Sequence, residues 1–142
     1  MELSDGRVLM IIRNSLGAVY QSISDDGGDT WSEATSTGLA SPQAPATIKR
    51  IPSTGDLLLV WNHSETRRRV PLTSAISSDD GRGWTHLRDI EPTGRSFAYT
   101  SICFVNDGAV LSYWTSQVGG LSLKVRRVAL DWFYGKAVAS GD

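Results

Sequence analysis

The chain has 142 residues, with 14 basic and 15 acidic side chains and a net charge of −1. This length suits one ordinary domain or part of a larger protein. The balanced charge gives no electrostatic basis for binding nucleic acid or an anionic membrane surface. The single cysteine excludes an internal disulfide framework and a multi-cysteine zinc site.

Predicted strands follow one another along almost the whole chain. Helical patterning is nearly absent, and short apolar or alternating runs separated by Gly, Asp, Asn and Pro predict strands instead. Polar turns at 53–55 and 106–108 suit hairpins. In chain order the predicted strands are Arg7–Arg13, Ala18–Ser24, Ala46–Ile51, Asp56–Asn62, Leu72–Ser77, Thr85–Ile90, Ala98–Val105, Ala109–Thr115 and Leu121–Leu130, with a weaker one near Ser32–Thr37. The sequence therefore predicts an all-β protein.

Three local features bear on reactivity and environment. Cys103 lies in the apolar run SICFV, so we expect a buried structural thiol rather than a nucleophile. No apolar run approaches the roughly 20 residues that a transmembrane helix needs, and we expect no membrane partner. The first residues, MELSDGR, lack the basic region and apolar stretch of a signal peptide, which leaves the localisation open.

Two similar stretches divide the chain into units. Ser24–Trp31 reads SDDGGDTW and Ser77–Trp84 reads SSDDGRGW, with Asp26 and Asp79 in equivalent places 53 residues apart. A period of about 40–50 residues with four strands per unit is typical of propeller blades. We therefore predict a partial β-propeller, with an incomplete first blade at about 1–40, a complete blade at about 41–92 and an incomplete last blade at about 93–142. Because closure takes about four to eight blades, the others would come from the same parent chain or from a second copy.

The acids in these stretches favour a turn over a metal site or a phosphate cradle. An EF-hand loop needs about six oxygen ligands at a fixed spacing. The first stretch lacks that spacing, and the second has Arg82 in place of Asp29. A phosphate cradle needs a Gly-rich loop that opens a helix, which is not predicted here. Aspartate oxygens that accept backbone N–H groups, with Gly28 and Gly81 at positive φ, explain the pattern, so we expect neither a metal nor a cofactor.

Both stretches resemble the Asp-box, or bacterial neuraminidase repeat, whose pattern is S-x-D-x-G-x-T-W. The first matches at every position, and the second has Gly83 in place of Thr. We expect both tryptophans to cover their turns and to be buried against neighbouring strands. The motif residues are Ser24, Asp26, Gly28, Thr30 and Trp31 in the first Asp-box and Ser77, Asp79, Gly81 and Trp84 in the second.

Longer segments extend the resemblance to sialidases. LMIIRNSLGAVYQSISDDGGDTW and WNHSETRRRVPLTSAISSDDGRGW each resemble a sialidase segment in which an arginine precedes an Asp-box. FAYTSICFVNDGAVLSYW resembles the strand pair that carries the catalytic tyrosine of that family. Together they cover most of the chain. The resemblance implies the C-terminal half of a six-bladed propeller that acts on terminal sialic acids.

The resemblance also implies three site residues. Arg13 and Arg69 are similar to two of the three arginines that clamp the substrate carboxylate, with Arg68 as the alternative to Arg69. A guanidinium suits this role because it is always charged and pairs with a carboxylate in a bidentate fork. Tyr99 is similar to the tyrosine nucleophile, which needs an adjacent base because its pKa lies near 10. The alternatives from the residues alone are a surface cation at Arg13, a solvated charge run at 67–69 and a packing aromatic at Tyr99.

Other candidates rest on position alone. Gln43, in SPQAP, and Asn62 and His63, after LLLVW, are candidate substrate contacts. The first arginine of the family, its aspartate acid/base and its tyrosine-activating glutamate have no counterpart here, and Trp114 stands where a glutamate is frequent. We expect a parent hydrolase acting on sialylated or other acidic glycans, with this fragment inactive alone. The alternative is a non-catalytic propeller segment that binds carbohydrate or protein.

Overall fold

Ten strands form three antiparallel sheets in the computed structural model, which describes residues 1–117 and 120–136. The elements are β1 (Val8–Ile12), β2 (Ala18–Ser24), β3 (Thr35–Ala40), β4 (Thr47–Arg50), β5 (Leu57–Trp61), β6 (Leu72–Ser77), β7 (Thr85–Glu91), β8 (Phe97–Val105), β9 (Gly108–Gln117), β10 (Gly120–Ala129) and α1 (Leu130–Phe133). The N-terminal sheet has the order β1-β2-β3, the middle sheet β4-β5-β6-β7 and the C-terminal sheet β10-β9-β8. The all-β prediction is confirmed.

Nine strand predictions are confirmed, because each overlaps an observed strand, and β2 and β6 have the predicted bounds. The weaker strand is displaced along the chain, since β3 begins at Thr35 rather than near Ser32. The Ser32 N–H instead bonds to the carbonyl oxygen of Ile23 at 2.8 Å, before the regular ladder between β2 and β3 begins. The turn after the first Asp-box thus takes up residues that the pattern assigned to a strand.

The middle sheet is buried on both faces because a sheet packs against each of them. All five residues of β5 are buried. Leu58 and Val60 belong to the core shared with the C-terminal sheet, whereas Leu59 and Trp61 pack against the N-terminal sheet. Each fully buried aliphatic side chain contributes about 1.5–3 kcal/mol. Burial on two faces explains why LLLVW is a continuous apolar run rather than an alternating one.

Arg13 and Arg69 lie at the end of the sheets opposite to the Asp-boxes. β1 runs toward Arg13, and the antiparallel β2 returns to Ser24, where the first Asp-box begins. β5 runs toward the loop that contains Arg69, and β6 returns to the second Asp-box at Ser77. The C-terminal sheet joins at Phe97, whose N–H donates to the carbonyl oxygen of Arg69 at 2.9 Å. We call the two sides the arginine end and the Asp-box end.

α1 closes the Asp-box end of the contact between the middle and C-terminal sheets. Phe133 is fully buried there. The hydroxyl of the following Tyr134 donates to Asp56 Oδ2 at 2.7 Å, in the turn between β4 and β5. Burial raises the pKa of Tyr134 to about 12. Over residues 1–117 and 120–136, no helix has the length and apolar character to cross a membrane.

The prediction that Cys103 is buried is wrong, because its side chain is exposed. A β-bulge between Ala98 and Ser101 inserts one extra residue into β8. After the bulge, Ile102 and Phe104 pack toward the middle sheet instead of Cys103. Since side chains alternate along a strand, one extra residue exchanges the two faces.

Candidate functional site

Tyr99 lies inside the bulge of β8, at the arginine end. Its φ is +57°, a left-handed conformation that non-glycine residues seldom adopt, and its side chain is 56% exposed. Trp114 of β9 lies beside it, with the ring centroids 6.2 Å apart. The surrounding structure must hold Tyr99 in this conformation, because a tyrosine does not favour it by itself. Strained residues of this kind are typical of functional positions.

Arg13 and Arg69 approach Tyr99 from the two other sheets. Arg13 is the first residue after β1, and Arg69 lies in the loop between β5 and β6. The guanidinium carbon of Arg69 is 5.7 Å from the centroid of the Tyr99 ring. Hydrogen bonding of Arg69 to the phenolate form, and then that of Arg13, lowers the pKa of Tyr99 below its usual value. The fold therefore brings the three principal predicted residues together, and their roles stay predictions.

A polar cavity of about 480 Å³ adjoins Arg69. Ser15 and Gly17 of the loop after β1, residues 41–43 before β4, and residues 65–67 with Arg69 after β5 line it. Gln43 is exposed in this wall, and its backbone carbonyl accepts a hydrogen bond from Arg69 Nη2 at 3.3 Å. Gln43 thus lies beside the predicted arginine pair, next to a space large enough for part of a sugar.

Arg68 faces a different part of the surface from Arg69. It is exposed and lines a separate depression with Pro71 and Pro92. Arg67 and Arg69 line the cavity, whereas Arg68 and Val70 line the depression. Within the arginine run, Arg69 is therefore the residue that the fold brings to Tyr99.

Asn62 and His63 follow β5 but differ in exposure. Asn62 is 1% exposed, and its Nδ2 donates to the carbonyl oxygen of Pro71 at 3.1 Å. Its Oδ1 is buried without a hydrogen-bond partner among the described residues. His63 is half-buried, and its ring lies 5.5 Å from that of Trp61. The Asn62 amide therefore supports the loop after β5, whereas part of His63 stays accessible.

The first Asp-box is a closed hydrogen-bonded turn. Asp26 accepts from Ser24 Oγ at 2.7 Å, from the Thr30 N–H at 2.9 Å and from the Thr30 hydroxyl at 2.5 Å. The Gly28 N–H donates to Ser24 Oγ at 2.8 Å, and Trp31 Nε1 donates to the Gly28 carbonyl oxygen at 3.0 Å. These bonds, with Thr30 first, lower the pKa of Asp26. Trp31 is half-buried rather than buried.

The second Asp-box repeats this turn with fewer bonds. Asp79 accepts from Ser77 Oγ at 2.7 Å and from the Gly83 N–H at 2.8 Å, and the pKa of Asp79 is lowered by Gly83 first. The Gly81 N–H donates to Ser77 Oγ at 2.8 Å. Trp84 is also half-buried and packs on two core clusters. In the part of the chain that the structure describes, no group of three or more His, Cys, Asp or Glu side chains is arranged to hold a metal ion.

Comparison with known proteins identifies the family. Residues 1–111 match the family described as the BNR repeat-like domain, which is more than half of the chain. The chain belongs to this family, within the sialidase superfamily. A sialidase from Micromonospora viridifaciens is 29% identical over 149 residues, covering 95% of this chain and 22% of that protein. The chain therefore spans about a fifth of this curated relative.

Two solved structures share the fold of this BNR repeat-like chain. The intramolecular trans-sialidase from Ruminococcus gnavus, in complex with oseltamivir carboxylate, has a TM-score of 0.73 at 21% identity and covers 92% of this chain and 32% of its own. A protein of unknown function from Dyadobacter fermentans has a TM-score of 0.62 at 18% identity. The match covers 92% of this chain and 36% of that protein. At these identities the likeness concerns the fold alone.

Sequence reasoning missed an ionic cluster around the buried Glu91 in this BNR repeat-like chain. Glu91 Oε1 accepts from the Tyr113 hydroxyl and from Lys124 Nζ, each at 2.6 Å, and from Arg126 Nη1 at 3.3 Å. Burial disfavours ionisation of Glu91, but the bonds from Lys124 and Tyr113 outweigh it and leave the pKa below its usual value. No local motif marks the cluster, because its members come from three strands. The one signal is that Lys124 and Arg126 alternate with apolar residues along β10.

The surroundings of Tyr99 are cationic. Glu65 lines the cavity beside Arg69 and is exposed. Among the described residues, no carboxylate makes a hydrogen bond to the Tyr99 hydroxyl. The two arginines therefore dominate the electrostatic environment of the phenol.

Proposed function

We propose that this chain is part of a sialidase-type retaining exo-glycosidase that acts on terminal sialic acids. In this proposal Arg13 and Arg69 hold the carboxylate of the sugar, and Tyr99 attacks its anomeric carbon. The observation that carries the proposal is the convergence of these three residues from three sheets, with the pKa of the phenol lowered by the two cations. The similarity to the sialidase of Micromonospora viridifaciens supports it.

The proposed clamp follows from the chemistry of an acidic sugar. A guanidinium can offer two parallel N–H groups to a carboxylate, so two arginines fix the orientation as well as the charge. A bound carboxylate would then sit within reach of a phenol whose phenolate form is favoured by the same cations. A tyrosine nucleophile avoids placing a second carboxylate next to an anionic substrate, and sialidases use this departure from the two-carboxylate scheme.

We further propose that the three sheets are blades of a six-bladed propeller. The chain covers 32% of the Ruminococcus gnavus trans-sialidase and 36% of the Dyadobacter fermentans protein. The C-terminal sheet presents Leu121, Leu123 and Val125 with exposures of 71%, 74% and 62%. Natural proteins seldom leave such an apolar face uncovered. In the proposal, further blades of the parent chain, or a second copy, cover it.

The chain alone is proposed to be inactive in catalysis. A general acid for the leaving group and a base for Tyr99 are each worth about 10²–10⁴-fold in rate. No described carboxylate is bonded to Tyr99, which also favours the second candidate function, a non-catalytic propeller segment that binds carbohydrate or protein. Both candidates use the arginine clamp, and they differ in whether Tyr99 forms a covalent bond.

A binding titration tests the clamp on the chain as it stands. Sialic acid is titrated into the wild-type chain and into Arg13→Ala, Arg69→Ala and Arg68→Ala, with binding followed by NMR. We expect the first two variants to lose at least about tenfold in affinity, because each removes a charged bidentate partner. Arg68→Ala is the matched control and should stay within about twofold. Wild-type affinity in both Arg13→Ala and Arg69→Ala would refute the clamp.

A labelling experiment separates the enzyme from the binding module. The parent protein is assayed with a fluorogenic sialoside and treated with a fluorinated sialic acid that slows breakdown of a glycosyl-enzyme. Mass spectrometry should place the label on Tyr99, and Tyr99→Phe should abolish both labelling and turnover. An active parent whose turnover survives Tyr99→Phe contradicts the enzyme proposal, and an inactive parent that still binds through the arginines favours the binding module.

A further inference from the structure

We propose that Glu91 and Tyr113 form a buried positioning pair that holds Arg69 and Tyr99 in place from beneath the site. Glu91 is the last residue of β7 in the middle sheet, and Tyr113 lies in β9 of the C-terminal sheet. Their bond therefore joins two of the three sheets that meet at the site. The inference rests on the proposed function, which gives Arg69 and Tyr99 their roles. Its test, the titration of Tyr99, requires no ligand.

The pair is built as a rigid contact. Tyr113 is 0% exposed and Glu91 is 9% exposed. The hydroxyl-to-carboxylate distance is 2.6 Å, and Lys124 donates to the same carboxylate oxygen. A carboxylate bonded to a hydroxyl and two cations is held far more tightly than an exposed ion pair. Four groups in one cluster thus define the spacing between the two sheets at the arginine end.

Phe97 connects the pair to Arg69. Its ring packs edge-on against the ring of Tyr113, with centroids 5.9 Å apart and an interplanar angle of 82°. A Cβ on Gly94 would lie 2.9 Å from the Phe97 ring, so the preceding loop closes on its other side. The Phe97 N–H donates to the Arg69 carbonyl oxygen at 2.9 Å. Any shift of Tyr113 therefore reaches the backbone that carries Arg69.

Two routes connect the pair to Tyr99. Tyr99 follows Phe97 by two residues, inside the bulge that gives it a left-handed conformation. Trp114, the neighbour of Tyr113, points to the opposite face of the sheet and packs beside the Tyr99 ring. Strain of this kind persists only where the surroundings fix it, and these contacts supply that constraint.

Tyr134 provides a matched control for Tyr113. Its hydroxyl also donates to a carboxylate of the middle sheet, Asp56, at 2.7 Å, and burial raises its pKa as it does for Tyr113. Tyr134 lies at the Asp-box end, far along the strands from the arginines. Removal of the Tyr113 hydroxyl breaks its bond to Glu91 beneath the site, whereas removal of the Tyr134 hydroxyl breaks its bonds to Asp56 and Thr54 at the Asp-box end.

The test measures the titration of Tyr99 itself. The chain is labelled at the tyrosine ring carbon that bears the hydroxyl, and its NMR signals are followed against pH in the wild type, Tyr113→Phe, Glu91→Gln and Tyr134→Phe, with Tyr99→Phe to assign the signal. We expect the pKa of Tyr99 to rise toward its usual value in Tyr113→Phe and in Glu91→Gln. We expect Tyr134→Phe to leave it unchanged.

The outcomes separate this inference from the proposed function. Equal shifts in Tyr113→Phe and Tyr134→Phe, or no shift in either Tyr113→Phe or Glu91→Gln, would overturn the positioning role. If Tyr113→Phe does not fold, Glu91→Gln decides, because a neutral amide of the same size loses the charge-assisted bonds to Lys124 and Arg126 that hold the pair. Sialic acid affinity should fall by about three- to tenfold in the same two variants. A wild-type chain that does not bind sialic acid defeats the proposed function, but the titration of Tyr99 still decides the inference.

Discussion

The Asp-boxes and the arginine end use their polar groups in different ways. In the Asp-boxes, aspartate oxygens accept hydrogen bonds from nearby hydroxyl and backbone donors, and left-handed positions are held by residue types that tolerate them, such as Gly28 and Gly81. At the arginine end, a left-handed position is held by Tyr99, which is 56% exposed between two cations. The polar groups of the Asp-boxes bond to one another within each turn, whereas the phenol and the guanidinium groups at the arginine end are accessible to a ligand.

This contrast assigns stability to one end of the sheets and ligand binding to the other. The strained backbone of Tyr99 and the closeness of Arg13 and Arg69 both lower the stability of the fold. Such costs are expected at a ligand-binding site and not at a purely structural turn. Substitutions at the two ends should therefore change different properties of the protein. Those in the Asp-boxes should lower stability and leave Tyr99 unaffected, whereas those at the arginine end should change Tyr99 and leave stability nearly constant.

The largest loss of stability is expected from Gly81→Ala. Gly81 has a φ of +87°, and a Cβ there would lie 2.9 Å from Leu9 Cδ2 in a buried cluster. The left-handed backbone costs about 1–2 kcal/mol for alanine, and overpacking adds about 1–3 kcal/mol. Urea unfolding should show a loss of about 2–5 kcal/mol, with the titration of Tyr99 unchanged.

Gly28→Ala is the control for this contact. Its φ is +110°, but the nearest atom to an added Cβ is Trp31 Cζ2 at 3.7 Å, which is an ordinary distance. Only the backbone cost should appear, so the loss should be smaller than for Gly81. Equal losses would mean that packing between the N-terminal and middle sheets does not distinguish the two Asp-boxes.

A smaller change, of the opposite sign, is expected at Tyr99. Asparagine tolerates the left-handed region better than tyrosine, and the side chain is mostly exposed, so little packing is lost. Tyr99→Asn should leave the melting temperature within about 2 °C of the wild type or raise it, because the strain is relieved. A clear drop in the melting temperature would show that the tyrosine stabilises the fold and would weaken the contrast between the two ends.

Sequence reasoning succeeded where the signal is local. Strand alternation and turn residues fixed nine strands, and the spacing of Asp26 and Asp79 located two equivalent turns. These features depend on neighbours within a few residues, so the chain itself displays them.

Features that depend on contacts between sheets were not predictable. The bulge at Tyr99 is not marked by any turn residue, yet it decides that Ile102 faces the core and Cys103 does not. The bond between Glu91 and Tyr113 links strands from two sheets and has no sequence spacing to reveal it. The displacement of β3 likewise reflects how the residues after the first Asp-box bond to β2.

Removal of either arginine should move the titration of Tyr99 with little cost in stability. Arg69 makes the larger contribution to the lowered pKa of the phenol, and Arg13 the next one among the hydrogen bonds. Arg69→Gln should therefore raise the pKa of Tyr99 more than Arg13→Gln does, while the free energy of unfolding stays within about 0.5 kcal/mol, as for most surface substitutions. Arg68→Gln should change neither quantity. A larger response to Arg68→Gln than to Arg69→Gln would contradict the assignment of Arg69 to the site.

The smallest effect is expected from exchanging the one position at which the two Asp-boxes differ. Thr30 adds a hydroxyl bond to Asp26, whereas Gly83 offers Asp79 only its N–H. A threonine at 83 meets no positive φ, and its Cβ would lie 3.1 Å from Asp79 Oδ2, where a small adjustment lets the hydroxyl donate. Thr30→Gly should raise the pKa of Asp26, and Gly83→Thr should lower that of Asp79.

The sign of the pH effect follows from these shifts. Both aspartates have folded-state pKa values below the unfolded value of about 3.9, so their contribution to stability is present above that pH and is lost as the pH falls through the folded values. The unfolded-state pKa sets the pH at which the loss begins, so Thr30→Gly should lose less stability on acidification and complete the loss at a higher pH, whereas Gly83→Thr should lose more and extend the loss to lower pH. Urea midpoints between about pH 2 and 5 measure both. Identical acid profiles in the two variants would mean that the Thr30 hydroxyl contributes nothing, and the two Asp-boxes would then be equivalent turns despite their different sequences.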